Sequence, residues 1–118
     1  MREIIFYQTA SGRSPVDEFF DTLSEDQFEK IEWVLELLRA TDVVPAQYLK
    51  KLTGTKGIWE IRVRSGALAF RLLCFFDGSR LVVVVNGFAK KTEKVPAREI
   101  ALADERRRDY LARKKSHG

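Results

Sequence analysis

The chain has 118 residues, 45% of them hydrophobic and 32% charged, with a net charge of +4. That balance fits one soluble domain over residues 1–118 with its own core, and argues against a disordered or membrane-spanning chain. A single cysteine, Cys74, excludes an intramolecular disulfide framework and points to a reducing, cytosolic setting.

Arg2 to Thr9 carries Ile4, Ile5, Phe6 and Tyr7 and predicts a first strand. Ala10-Ser11-Gly12-Arg13 reads as a turn. Ser14 as N-cap, Pro15 at the first helical position and acids in the first turn then open a short helix, with Val16, Phe19, Phe20 and Leu23 inward. Ser24 and Gln27 form a capping box for a second helix. Phe28, Ile31, Val34, Leu35 and Leu38 recur there at helical spacing, and Trp33 is expected to pack beside them. Thr41 to Pro45 ends that helix.

Three strand-like runs follow at Ile58–Arg64, Ala67–Phe76 and Arg80–Ala89. They are rich in Val, Phe, Ile and Leu, and the turn dipeptides Ser65-Gly66 and Asp77-Gly78 separate them, which predicts an antiparallel meander. Alternation puts Trp59, Ile61 and Val63 on one side and Glu60, Arg62 and Arg64 on the other. In the second run Leu68, Phe70, Leu72 and Cys74 oppose Ala69, Arg71 and Leu73. In the third, Val83 and Val85 oppose Val84, Asn86, Phe88 and Lys90. One face packs on helices, while the other gathers Arg62 or Arg64 with Arg71, Phe88 and Lys90. Cations around an aromatic suit a phosphate backbone and a stacked base; a solvated sheet face is the competing reading. Alternation leaves open which of Arg62 and Arg64 neighbours Arg71, and whether Arg71 pairs with Glu60.

After Val95-Pro96-Ala97 a last helix carries Ile100, Ala103, Arg107, Tyr110 and Leu111 near one stripe, which favours a packing role for Tyr110. Arg106, Arg107 and Arg108 read as a solvated run, and residues from about 112 to 118 as a disordered basic tail with His117 incidental in it. Charge divides the chain. Residues 1–49 hold four basic and ten acidic side chains, whereas residues 50–118 hold seventeen basic and seven acidic. The basic part suits a polyanion or an acidic partner. The N-terminus shows no basic-then-apolar leader and no run of membrane-spanning length, so a cytoplasmic protein without a membrane partner is expected.

The residue set narrows the chemistry. His, Cys, Asp and Glu show no metal-ligand spacing, so neither metal nor cofactor is expected, and Cys74 on the apolar side of its strand reads as a small buried hydrophobe. With one histidine, a two-histidine ribonuclease and a Ser-His-Asp triad are both excluded, and no phosphate-binding glycine loop occurs. An enzyme acting on RNA here must move protons with Lys, Arg, Glu or Tyr, or with the RNA itself.

Four ordered motifs carry a family resemblance: K-x-L-x-G-x-x-G-I-W-E-I-R from Lys50 to Arg62, F-R-L-L-x-F-F from Phe70 to Phe76, N-G-F-x-K-K-T-x-K-x-P from Asn86 to Pro96, and E-I-x-x-A-x-x-R-x-x-x-Y from Glu99 to Tyr110. Together they resemble the RelE/ParE superfamily of type II toxins, in its phage-derived, HigB-like subgroup, over about the last three-fifths of the chain. The resemblance implies a RelE-like α+β fold: an N-terminal strand, two helices, a three-strand meander and a C-terminal helix, with helices against one face of an antiparallel sheet. It implies a ribosome-dependent endoribonuclease that cuts mRNA by attack of the 2′-hydroxyl on the adjacent phosphate, and a helix-turn-helix antitoxin as partner. Arg71, Phe88 and Lys90 match the family's second-strand arginine and its G-F-x-K segment, and Lys56 stands where members carry a basic residue. Arg71 then stabilises the phosphorane, with Arg64 and Arg62 as further candidates. Lys90 transfers a proton and Phe88 stacks a base. Lys50, Lys51, Lys91 and Lys94 meet RNA phosphates. A ParE-like inhibitor of DNA gyrase and an inactive RNA- or antitoxin-binding module are the other classes consistent with the resemblance.

Overall fold

Glu3–Phe6 forms strand β1, and helices α1 (Pro15–Phe20) and α2 (Glu25–Ala40) follow it. The structure is a computed structural model describing residues 1–91 and 94–117, the side chain of His117 excepted. Local chemistry sets both helix starts. The Ser14 hydroxyl accepts from the Asp17 N–H at 3.4 Å, and Ser24 and Gln27 exchange hydrogen bonds of 3.2 and 3.0 Å. At the other end of α2 the Arg2 guanidinium donates to the carbonyls of Leu38 and the C-cap Thr41, groups a helix leaves without internal partners, and to the Asp42 carbonyl just beyond. That clamp seats β1 beside α2.

Strands β2 (Leu49–Lys51), β3 (Trp59–Ser65), β4 (Leu68–Asp77) and β5 (Leu81–Lys90) precede helix α3 (Ala97–His117). They form one five-stranded sheet in the order β1-β5-β4-β3-β2. The meander β3-β4-β5 is antiparallel as expected, and Gly66 and Gly78 adopt positive φ of 61° and 77° in its turns. Two features correct the expected sheet. β1 runs parallel to β5, so the sheet is mixed; no hairpin joins these two strands, and nothing local forces them to oppose. β2 is a further strand, too short at three residues to show alternation.

Helices cover both faces. Ile61, Val63, Phe70, Leu72, Cys74, Val82 and Val84 bury against α1 and α2, where Val16, Ile31, Leu35 and Leu38 are fully enclosed. Leu73, Phe75, Val83 and Val85 face Ala103 and Tyr110 of α3. Each enclosed Val, Leu or Ile side chain contributes about 1.5–3 kcal/mol relative to exposure, so these two layers dominate stability. The third strand departs from simple alternation at a β-bulge. Cys74 pairs with Val84 but Leu73 with Asn86, leaving Val85 as the extra residue. Val85 and Asn86 therefore both lie on the α3 side. The bulge joins Asn86, Phe88 and Lys90 to Val83 and Val85, and not to Val84 as expected from sequence.

α3 is fastened along its length. Arg106 donates to the Val85 carbonyl exposed by the bulge and to the Asn86 side chain, both at 2.8 Å, so it is half-buried where a solvated position was expected. Tyr7 donates to Asp109 at 2.6 Å, and Arg113 reaches Asp109 and the Gln8 carbonyl. Tyr110 donates to Asp77 at 2.8 Å, and Lys114 donates to the same carboxylate at 2.7 Å. The segment expected as a disordered tail thus continues the helix through His117, because its cations find carboxylates on the helix and at the end of β4. Gly118, the end of that expected tail, lies outside the described residues. Trp33, expected to pack, is instead 58% exposed. Among the described residues no helix is long and apolar enough to cross a membrane.

Two outcomes follow for stability. Gly87 turns toward α1, where an added Cβ would lie 2.5 Å from the Phe19 ring. Gly87→Ala is expected to cost about 1–3 kcal/mol of overpacking, read as a lower urea midpoint; an unchanged midpoint would mean that the ring swings aside freely. Burial first, then the Asp77 carboxylate, pushes the Tyr110 phenol from 10.0 to about 12. The folded state holds the neutral phenol, so this contact stabilises fully below pH 10.0 and fades as pH rises toward about 12. Thermal melts across that window should fall less steeply for Tyr110→Phe than for wild type.

Candidate nucleic-acid interface

The meander's register builds the candidate site in rows. Arg62 pairs with Arg71, and Arg71 pairs with Phe88 on the next strand. Arg64, Ala69 and Lys90 make the neighbouring row, and Glu60, Leu73 and Asn86 the row beyond. Side chains of directly opposed residues share a face, so Arg62, Arg64, Arg71, Phe88 and Lys90 lie together on the α3 side of the sheet. Both candidate neighbours of Arg71 are therefore present, with Arg62 directly opposite it.

Glu60 decides how these arginines are held. It is 3% exposed and Arg71 is 7% exposed. One carboxylate oxygen receives the Arg71 Nε–H at 3.0 Å, and the other lies 3.2 Å from the Arg62 Nε. Arg71 also donates to the Phe70 carbonyl at 3.0 Å. Burial, then neighbouring Arg62 and Arg64, lowers the Arg71 pKa, while Glu60 opposes that shift. The pairing of Arg71 with Glu60, one of two readings open from sequence, is observed. Arg62 is half-buried and Arg64 exposed, so these two extend the charge outward from a fixed Arg71.

A cleft of about 370 Å³ opens between β2, β3 and the start of α3. Lys50 and Lys51, Glu60 and Arg62, Lys90 and Lys94 line it, with Ile100 as an apolar wall. Arg71 does not line this cleft; with Arg62 and Arg64 it lines a second groove at the open edge of β3, whose other wall is Lys30, Trp33 and Val34 of α2. Phe88 is half-buried against the Leu73, Phe75 and Val85 cluster, so packing takes part of its ring. Lys91 is exposed just past β5, and Lys56 is exposed in the β2–β3 connection, outside the cleft lining. Thr92 and Glu93 of the quoted motif lie outside the described residues.

Residues 18–108 of the chain match the model of phage-derived Gp49-like proteins (DUF891). The chain belongs to that family. The matched span of this Gp49-like chain holds the whole cleft lining, from Lys50 to Ile100, and reaches past the bulge-binding Arg106. No curated protein matches the chain significantly.

Several features of this Gp49-like site were not read from its sequence. Glu60 as a bridge between Arg62 and Arg71 has a signal in period-2 spacing, which puts it two residues from Arg62 on one face. The network of Asn86, Glu99 and Arg106 had none, since it depends on the bulge: Asn86 donates to the Glu99 carbonyl at 2.9 Å and fixes the start of α3 at the cleft. Cys74 is fully buried, its thiol pushed to about 12 by burial, which makes it inert at neutral pH. Among the described residues no group of His, Cys, Asp and Glu has the makings of a metal site.

Glu60→Gln removes the charge that faces two arginines and leaves the buried Arg71 uncompensated. The expected cost is about 3 kcal/mol, the low end for breaking a buried pair because Arg62 still reaches water. Denaturant unfolding at neutral pH measures it, and a midpoint equal to wild type would show that the pair adds nothing net.

Proposed function

We propose that this Gp49-like chain is the toxin of a type II toxin–antitoxin pair, of the HigB-like kind, and cuts mRNA on the ribosome. The observation that carries the reading is the aligned rows Arg62-Arg71-Phe88 and Arg64-Ala69-Lys90 beside a cationic cleft. Family membership and the four ordered motifs add to it.

In this mechanism the mRNA backbone lies along the cleft, where Lys50, Lys51 and Lys94 meet phosphates, and Lys56 and Lys91 make outer contacts with RNA. Phe88 offers the accessible part of its ring to a base and turns that nucleotide toward in-line geometry. The 2′-hydroxyl oxygen bonds to the adjacent phosphorus, the bond from phosphorus to the 5′ oxygen breaks, and a proton passes to that oxygen. Lys90 handles a proton at one end of this displacement. Arg62, which lines the cleft, stabilises the charge that builds on the phosphorane oxygens, with Arg71, held by Glu60, directly behind it and Arg64 one row along adding to the positive field. The products are a cyclic phosphate and a free 5′-hydroxyl. A helix-turn-helix antitoxin neutralises the toxin in the cytoplasm by covering this face or by blocking entry to the ribosome.

mRNA cleavage in a purified translation system, with and without ribosomes, tests the proposal. Wild type is expected to cut only ribosome-bound mRNA. Lys90→Ala and Arg62→Ala should each lower the cleavage rate about 100-fold or more. Arg71→Ala should do the same, read beside its melting temperature because it strands Glu60. Growth arrest by wild type with mRNA left intact would overturn the ribonuclease reading and direct the search to gyrase.

A further inference from the structure

The groove between α2 and the open edge of β3 has a volume of about 530 Å³. α2 contributes Lys30 and Trp33, the segment before β2 contributes Tyr48, and the sheet contributes Arg62, Arg64 and Arg71. The Trp33 indole stands in solvent and meets the Tyr48 ring edge-on at a centroid distance of 5.6 Å, which braces it in place. β2 covers β3 only as far as Tyr48, whose carbonyl accepts from the Arg62 N–H at 2.8 Å. Beyond that point no described strand flanks β3, and alternation turns the Arg64 backbone outward together with its exposed side chain.

The groove thus gathers a braced, exposed aromatic plate, a lysine and the arginines at the open edge of β3, of which Arg62 and Arg64 reach outward while Arg71 is 7% exposed and held by Glu60. No carboxylate lines it; Glu60 lies behind, already engaged with Arg62 and Arg71. An apolar peptide would bury those cations without partners, at a cost that one tryptophan does not offset. Single-stranded nucleic acid satisfies both halves at once, with a base on the ring and phosphates on the cations.

We infer that this groove is a subsite for single-stranded RNA, in which a base stacks on Trp33 and the flanking phosphates lie against Lys30 and Arg64. Arg62 lines both the groove and the cleft, so the strand passes around the edge of β3 from one to the other. Asp26 and Glu29 line the depression on the far side of Trp33 and repel a further phosphate, which ends the track at that ring. The inference rests on the proposed ribonuclease function and extends it to nucleotides beyond the cut bond.

The test uses the full chain and a short single-stranded 2′-O-methyl RNA, which lacks the attacking hydroxyl, so binding is read without cleavage. Binding at low salt is expected to quench tryptophan emission. Trp33→Ala should weaken affinity about tenfold or more, Trp33→Phe should restore most of it, and both should melt like wild type because the ring is on the surface. On ribosomes the loss in kcat/KM for Trp33→Ala should appear in KM. If Arg62→Ala weakens binding but Trp33→Ala alters neither affinity nor KM, the subsite is overturned and the ribonuclease reading stands. The same holds if Trp33→Ala loses only a protein partner. A wild type that neither binds this RNA nor cuts mRNA on ribosomes overturns both.

Discussion

The β-bulge opposite Leu73 and Cys74 is the constraint on which the molecule depends. A strand without it would present Val83 and Val85 to one side and Asn86, Phe88 and Lys90 to the other. With the extra residue, β5 sends Val82 and Val84 to α1 and α2, and all five of the others to α3. The same irregularity frees the Val85 carbonyl, and Arg106 takes it up along with the Asn86 side chain. One inserted residue therefore sets the facing of the sheet and gives α3 its attachment point. A buried carbonyl without a partner costs about 1–3 kcal/mol, so the bulge and the arginine have to occur together.

α3 in turn decides how much of that face remains for chemistry. Its start is fixed at the cleft by Asn86, which donates to Glu99, and its end by Asp77, which accepts from Tyr110 and Lys114, and by Tyr7, which donates to Asp109. The helix covers Val83, Val85 and part of Phe88 and leaves the β3 side of the sheet to the arginines. Cations then collect where no helix covers the strands. The acidic surface of α2 faces elsewhere, apart from the edge where Trp33 stands.

Glu60 separates the arginines into a buried member and more accessible ones. The exposed pair of Arg13 and Glu18 is close at 2.6 Å, but both side chains sit in water and add little. Glu60 and Arg71 are enclosed, so their desolvation is offset only while both are present. Arg71 is accordingly held in one place, and Arg62 and Arg64 supply the cations that can reach outward. This division resembles a preorganised charge with adjustable neighbours, an arrangement suited to a phosphate whose charge grows during reaction.

From sequence alone, the helix starts at Ser14 and Ser24, the meander with its glycine turns, the basic bias of the second part and the family motifs were all legible, because each depends on neighbours within a few residues. The shared face of Arg62, Arg71, Phe88 and Lys90 was legible as a candidate, since period-2 spacing holds away from bulges. Tertiary structure alone decided the parallel placement of β1, the short β2, the bulge itself, the ordered end of α3 and the exposure of Trp33. Each of these depends on a partner far along the chain: Val82 to Val84 for β1, Ile61 for β2, Asp77 for Lys114, Tyr48 for Trp33. Local pattern determines which way a side chain points along its own strand. Only packing determines what meets it there, and hence that Arg71 is a buried cation bound to Glu60 while Arg62 and Arg64 face the open edge.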